Sequence, residues 1–205
     1  PTQTPGENAQ RYFAKYNKQK RTFEALTELI QETADDIQYL ESISNALDIA
    51  LNEADLAQIK EELMQSGYIR RKHTKKKVKL TSKPMHYISS DGYDMYVGKN
   101  NLQNEELTFS FANGNDWWFH AKGAPGSHVI VKSGGDELPD RTFEEAGRLA
   151  AYYSKNRGAD KVEIDYIQKK HVKKPNGAKP GFVVYYTNYS LVIDSDISNI
   201  KNVQD

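Results

Sequence analysis

Apolar side chains recur every three or four residues through the first quarter of the chain and alternate along short runs in the remainder. Between Tyr12 and Leu51 the spacing averages 3.5 residues, the period of a left-handed coiled coil. No Gly or Pro interrupts residues 7–66. The pattern predicts a long helix whose apolar stripe needs a partner, either a missing part of a longer protein or a second copy. Nine of the twelve stripe positions are apolar, and Gln19, Thr33 and Ser44 are the polar ones. The twelve positions are Tyr12, Tyr16, Gln19, Phe23, Leu26, Ile30, Thr33, Ile37, Leu40, Ser44, Leu47 and Leu51.

A second, shorter helix follows. Asn52 is a typical N-cap residue, and Gly67 is a typical helix terminator. Strand-like runs over 86–90 and 93–98 then flank Asp91-Gly92, which predicts a hairpin with a two-residue turn.

Further elements are predicted in order along the chain. A helix is expected over 101–112 with Leu102, Leu107 and Phe111 inward. Another is expected over 141–155, with these residues on its buried side: Phe143, Ala146, Leu149, Ala150 and Tyr153. Strands are expected over 116–120, 127–132, 162–167, 182–187 and 189–193. The predicted fold class is α+β, a long coiled-coil helix followed by a compact mixed or antiparallel sheet with one or two packed helices. The predicted domains are a helical arm over 1–67, a basic linker over 68–85 and a sheet domain over 86–205.

Charge is unevenly distributed although the 205-residue chain has no formal net charge. Residues 1–66 carry 6 basic and 12 acidic groups, whereas residues 67–79 carry 7 basic and none acidic. The sequence contains no Cys, which excludes disulfides and thiolate metal sites and suits a reducing cytosol. No apolar run approaches 18 residues, so no membrane insertion is expected.

The chemistry-bearing residues concentrate in two neighbouring strands. Strand alternation places Trp117 and Phe119 on one face, and Asp116, Trp118 and His120 on the other. Ser127 and His128 begin the next strand. The face of Trp117 and Phe119 is expected to pack inward. Together Asp116, Trp118, His120, Ser127 and His128 form a candidate recognition surface, in which Trp118 and His120 would offer stacking and hydrogen bonding and Asp116 would orient His120.

Three other interpretations of this cluster remain open. A polar network tying two strands together has about even weight, because buried polar groups are usually satisfied locally. A metal site on His120 and His128 is disfavoured because nothing supplies a further ligand. A nucleophile set of Ser127, His128 and Asp116 is disfavoured further, because no nucleophile elbow accompanies it. No catalytic residue, metal or cofactor is therefore predicted.

Five lysines lie between two predicted strands, with no acidic residue among them: Lys169, Lys170, Lys173, Lys174 and Lys179. Pro175-Asn176-Gly177 and Pro180-Gly181 are turn sequences, so the lysines are expected on an exposed hairpin. An ordinary solvated lysine run is the alternative, but the missing acids favour a polyanion, and the aromatic residues favour RNA.

These motifs resemble a known family. Asp116–His120 with Pro125–Ile130, followed in order by Glu144–Ser154, Val162–Tyr166 and Lys173–Gly181, is similar to the NFACT-R domain. Upstream, Asn8–Phe13, Tyr39–Glu41, Ile59–Leu63 and Gly67-Tyr68 resemble the coiled-coil arm that precedes it. The family is the bacterial RqcH group, also called FbpA-like or fibronectin-binding proteins, with the eukaryotic relative NEMF.

The resemblance implies the C-terminal half of a larger protein that binds tRNA and obstructed large ribosomal subunits in the cytoplasm and supports alanine tailing of stalled chains. The alternative, taken from the family's older name, is a cell-surface adhesin that binds fibronectin or fibrinogen. In either case the chain is expected to bind rather than to catalyse, and self-association through the coiled coil is an open expectation.

Overall fold

The chain folds as a long helix followed by a sheet with helices on it, and the predicted α+β class is confirmed. The computed structural model describes residues 4–70 and 82–203. The helices are α1 (Pro5–Ile49), α2 (Glu53–Gln65), α3 (Asn101–Glu106), a π-helix (Leu107–Phe111), α4 (Asp140–Tyr152) and a 3₁₀ turn (Lys169–His171). The strands are β1 (Met85–Ile88), β2 (Asp94–Val97), β3 (Trp117–Ala121), β4 (Val129–Val131), β5 (Val162–Gln168), β6 (Tyr189–Ile193) and β7 (Lys201–Asn202).

The first compact unit of the chain ends at Leu40 and consists of most of α1. Its apolar stripe is exposed: Tyr16 retains 60%, Phe23 73% and Ile30 68% of its accessible surface. The partner that the stripe requires stays a prediction, as do the domain boundaries at 67 and 86. Most of the predicted basic linker, residues 71–81, lies outside the described residues. Within the described residues, none of the helices combines the length and apolar character needed to cross a bilayer.

The short helix α2 begins and ends as the sequence predicts. The Asn52 side chain accepts a hydrogen bond from the Asp55 backbone N–H at 3.0 Å, which satisfies one of the unpaired amides at the helix start. At the other end Gly67 adopts a φ of 81°, a left-handed conformation that glycine tolerates best.

The hairpin between β1 and β2 has a three-residue loop, so the predicted two-residue turn is wrong. Ser89 and Tyr93 close the loop, since the Ser89 N–H donates to the Tyr93 carbonyl at 2.9 Å. Gly92 supplies the φ of 90° that such a loop requires after its type I turn. The strands still pair as expected, with Met85 opposite Val97.

The predicted helix over 101–112 is interrupted after one and a half turns. Residues Leu107–Phe111 form a π-helix, closed by the Ala112 N–H donating to the Leu107 carbonyl at 2.9 Å. An α-helical period would place Leu107 and Phe111 on one face, but the wider turn separates them. Leu107 is buried as predicted, Leu102 is half-buried, and Phe111 is 42% exposed, so its predicted inward position is wrong.

Seven strands form one sheet in the order β6-β5-β3-β4-β2-β1-β7. Helix α4 covers the side that we call the helix face, where Phe119 packs with Val129, Ala146 and Leu149. The predicted inner residues of α4 are buried, apart from Phe143, which is half-buried. A Cβ at Gly147 would lie 2.9 Å from the end of the Leu191 side chain on β6, so a larger residue here would force that side chain to shift.

The opposite side, which we call the loop face, is covered by less regular structure. Its centre is Trp118, packed against Ile130 and Ile167 of the adjacent strands. Leu107 of the π-helix covers it from one side, and residues 172–187 from the other. The predicted strand over 182–187 is wrong, because within these residues only Val184 forms a β-bridge, to Lys173.

A buried ion pair joins α2 to the residues before α3. The Lys99 ammonium lies 3.1 Å from Asp55, whose side chain is fully buried. Burial opposes ionisation of Asp55, but hydrogen bonds from the Ser82 hydroxyl and the Leu51 amide and the charge of Lys99 outweigh it, so the Asp55 pKa is lowered. Leaving either charge without the other inside the protein is unfavourable.

Replacing Lys99 by Met should lower the free energy of unfolding by about 3–5 kcal/mol, because Asp55 would remain buried without its cation. The exposed Lys60 on α2 is the matched control, and Lys60→Met should change stability by less than about 0.5 kcal/mol. Urea denaturation of both variants measures the difference. Equal midpoints would show that the pair does not stabilise this junction.

Candidate nucleic-acid interface

Strand β3, which carries Trp117 to His120, is buried on both sides, so its aromatic side chains pack inside the protein. Trp118 has no accessible surface, and its ring lies among His120, His128 and Tyr185 with centroid distances of 5.6, 5.1 and 5.0 Å. The prediction that Trp118 presents a stacking surface is therefore wrong, since the loop face is covered. Trp117 packs inward as expected, edge-on to Phe143 at 4.8 Å.

Asp116 holds the loop at the start of β3 and does not orient His120. Its carboxylate accepts hydrogen bonds from the backbone N–H groups of Asn113 at 2.7 Å and Ser133 at 3.2 Å, and it pairs with the Lys132 ammonium. The predicted Asp116–His120 contact is wrong, because the carboxylate is engaged by these donors at the other end of the strand.

His120 instead lies opposite Asp165 of β5. Desolvation by burial lowers the pKa of His120 to about 4, although hydrogen bonds to the Gly126 and Ala121 backbone and the Asp165 charge act against this shift. Asp165 also accepts hydrogen bonds from the Tyr185 hydroxyl at 2.9 Å and the Ser190 hydroxyl at 2.6 Å. His120 is thus a neutral, half-buried member of a strand-linking network.

His128 joins three segments of the loop face. Its ring bonds to the Gly181 carbonyl and to the Thr108 hydroxyl at 2.8 Å, and its backbone N–H donates to Asn104 at 3.0 Å. Desolvation, together with the nearby His120, lowers the His128 pKa well below 6.5. Ser127, 1% exposed, donates its N–H to the Tyr153 carbonyl at 3.0 Å. These contacts favour the interpretation of the motif as a polar network.

The histidine rings are neighbours, with centroids 5.4 Å apart. In the ranges 4–70 and 82–203, no three His, Asp or Glu side chains converge in the way a metal site requires. Asp116, Ser127 and His128 each make the separate contacts given above.

Three of the five predicted lysines form an exposed cationic edge beside the loop face. Lys170 and Lys173 are exposed, and Lys169 is half-buried with its ammonium 5.8 Å from the Phe109 ring centroid. Across the part of the chain that the structure describes, none of the three forms an ion pair with an acidic residue. We call these three residues the lysine edge.

The other two lysines have partners elsewhere in the fold. Lys174 pairs with Glu105 of α3 at 2.6 Å, so the expectation of five uncompensated cations is wrong for this position. Lys179 donates to the Tyr68 hydroxyl at 2.9 Å and lies 5.2 Å from the Tyr68 ring centroid. Sequence counting missed the Glu105 pair because its partners are 69 positions apart.

A group of partly exposed rings beside the lysine edge was not predicted. His86 and Tyr96 stack with centroids 4.5 Å apart and planes 3° apart, and Phe111 meets Tyr96 edge-on at 4.7 Å. The Lys132 ammonium lies 4.8 Å from the Phe111 centroid. We call His86, Tyr96 and Phe111 the ring surface. Alternation within β1 and β2 could have paired His86 with Tyr96, but the π-helix that brings Phe111 to them leaves no recognisable sequence signal.

The lowered histidine pKa values predict acid sensitivity. Because the unfolded chain binds protons with a pKa near 6.5 and the folded chain does not, the free energy of unfolding should decrease as pH falls from about 6.5 towards 5. The limiting slope is about 1.4 kcal/mol per pH unit for each histidine. Denaturant titrations at several pH values measure this slope. The variant His120→Gln should reduce the slope by the contribution of one histidine. A stability that does not change over this interval would contradict the assigned neutral state.

The comparisons with known proteins agree with this architecture. Residues 1–82 match the family profile of the NFACT N-terminal and middle domains, and residues 83–187 match that of the NFACT protein RNA binding domain. The chain is 45% identical over 202 residues to the Rqc2 homolog RqcH of Streptococcus pneumoniae, covering 98% of this chain and 36% of that protein. It is 40% identical over 205 residues to the Bacillus subtilis protein of the same name, covering 98% of this chain and 35% of that protein.

A solved structure is also similar. The C-terminal part of the fibronectin/fibrinogen-binding protein from Streptococcus suis superimposes with a TM-score of 0.87 at 43% identity, covering 98% of this chain and 81% of that one. The chain spans about a third of the length of the curated relatives that it matches. Because the RNA-binding-domain profile alone covers half of the chain, the chain belongs to the NFACT protein family.

Proposed function

We propose that this chain binds RNA through the lysine edge, as part of a ribosome-associated quality-control factor. The observation that carries the proposal is that Lys169, Lys170 and Lys173 lie together without acidic partners in the described residues, inside the segment that matches an RNA-binding domain. Uncompensated cations attract phosphates and release the counterions bound to them. In this proposal the chain contributes binding and no chemistry.

The wider function follows from the relatives, which are named Rqc2 homolog RqcH. On that basis we propose that the longer protein acts in the cytoplasm, binds tRNA and ribosomal RNA on obstructed large ribosomal subunits, and supports alanine tailing of stalled chains. The lysine edge would contact phosphates, while residues outside this third of the protein would contribute to the choice of tRNA.

A second candidate rests on the similarity to the Streptococcus suis protein, which is named for binding fibronectin or fibrinogen. A surface adhesin would need extracellular exposure and direct binding to these matrix proteins. Surface labelling of intact cells tests this candidate, whereas sedimentation of cell lysates tests the first.

Sedimentation through a sucrose gradient should place the chain with large ribosomal subunits at low salt and release it as salt increases, because phosphate contacts weaken with ionic strength. Surface labelling of intact cells should leave it unmodified. Labelling without co-sedimentation would support the adhesin and contradict the ribosomal proposal.

Neutralising two exposed lysines tests the lysine edge directly. The double variant Lys170→Gln/Lys173→Gln should reduce the slope of log affinity against log salt by about 1.4 for single-stranded RNA, at about 0.7 per lost phosphate contact. Filter binding or fluorescence anisotropy at four salt concentrations measures the slope.

The matched control is Lys60→Gln/Lys161→Gln, which removes the same charge from exposed positions. Lys161 precedes β5 and Lys169 follows it, so the two lie about 25 Å apart at opposite ends of one strand. The control should leave the slope unchanged. Equal slopes for both double variants would remove the lysine edge from the binding site.

A further inference from the structure

The ring surface lies on the loop face at the β1–β2 end of the sheet. The register places His86 opposite Tyr96, and Tyr96 opposite Ile130, which in turn lies opposite Trp118. At the Trp118 end of this row the rings are buried, whereas at the His86 end they are partly exposed. The π-helix that covers the loop face ends at Phe111, and this residue is 42% exposed.

The lysine edge and the ring surface are connected through the π-helix. Phe109 lies beneath the Lys169 ammonium at 5.8 Å, and Phe111, two residues further, lies beneath Lys132 at 4.8 Å. One helical turn therefore carries two aromatic rings, each of which has a lysine ammonium beside it. Lys132 is already paired with Asp116, so the uncompensated charge is concentrated at the Lys169 end.

An acidic residue lies at the His86 end of the ring surface and limits the kind of ligand that can bind there. Asp94 lies 2.7 Å from His86 Nε2 and fixes the orientation of that ring. Its carboxylate, about half exposed, disfavours a phosphate at this end of the surface. The arrangement thus favours a ligand with separate anionic and flat neutral parts, with the anion near the lysines and the flat part on the rings.

An unpaired nucleotide has this combination of groups. Bases in a duplex are stacked on each other and cannot lie on a protein ring, whereas bases in a single strand can. Exposed phenylalanine flanked by lysine is the arrangement that sequence-tolerant single-strand sites use. A π-helical turn is also found often at functional sites, and here it is what turns Phe111 outward.

We propose that the ring surface stacks unpaired bases of single-stranded RNA, with Phe111 as the principal contact, while the lysine edge holds the adjoining phosphates. This inference rests on the proposed RNA binding and specifies the class of RNA that the site takes. Tyr96 stacks on His86 and contacts Phe111 edge-on, so the three rings are already packed together and need little reordering when a base arrives.

Phe111→Ala tests the proposal against a labelled single-stranded oligouridine and a duplex RNA of equal length. Loss of the ring should weaken single-strand binding by roughly 10-fold, because stacking on one aromatic side chain typically contributes that much per base. Duplex binding and the salt slope should stay unchanged, because no phosphate contact is removed. Phe111→Trp keeps a ring and should restore binding.

Tyr189→Ala is the matched control. Tyr189 is 60% exposed and stacks on Tyr166 with centroids 5.5 Å apart, but it lies on β6, at the opposite edge of the sheet from β1 and β2. Its loss should not affect RNA affinity. Thermal unfolding verifies that each variant is folded, and Phe111→Leu, which keeps an apolar side chain, should lose single-strand affinity in the same way.

The outcomes separate this inference from the proposal on which it rests. If the unchanged chain binds single strands with a lysine-dependent salt slope but Phe111→Ala binds them equally well, the ring surface is not the base site and RNA binding stands. Equal weakening for single strand and duplex would overturn the single-strand assignment. Failure of the unchanged chain to bind any RNA would overturn both.

Discussion

The requirement that β3 be buried on both sides governs the rest of the sheet unit. Trp118 and Phe119 are both without accessible surface but face opposite sides, so a covering layer is needed on each. Helix α4 supplies one layer, and the π-helix with residues 172–187 supplies the other. The second layer has little ladder hydrogen bonding, so polar contacts hold it, among them the ring of His128, which reaches Gly181 and Thr108. The lysines emerge from this layer because its inner side is occupied.

The sequence predicts those parts of the structure in which local signals and tertiary packing agree. Asn52 caps α2 as predicted, and β6 has its predicted bounds, because capping and alternation act over a few residues. Alternation alone misleads at 182–187: Val183 and Tyr185 pack inward while Val184 and Tyr186 point outward, yet no neighbouring strand extends the ladder. A period of two in the sequence predicts which side chains are buried. It does not predict whether the segment pairs with another strand, because that depends on residues distant in the sequence.

The chemistry of the central motif also depends on its neighbours. Asp116 and His128 have the residue types of an active or binding site, but burial leaves their polar atoms to be satisfied by nearby donors and acceptors. Three consecutive aromatic residues over 117–119 could have indicated this, since alternation sends a ring to each face and both faces must then be covered. The rings of the ring surface come from other elements, namely β1, β2 and the π-helix.

The backbone beneath the lysine edge is fixed even though its side chains are exposed. The N–H groups of Lys169 and Lys170 donate to the Asp116 and Gly114 carbonyls at 2.8 and 3.0 Å, and that of Lys173 donates to Val184 at 2.9 Å. Ordering a mobile loop on binding would cost about 1–2 kcal/mol for each residue's backbone, whereas here only side-chain freedom remains to be lost. Asp116 therefore links the two parts of the surface, because its carboxylate holds Lys132 beside Phe111 while its carbonyl holds the backbone of Lys169. A carboxylate predicted to orient a histidine instead holds a lysine beside the aromatic part of the surface.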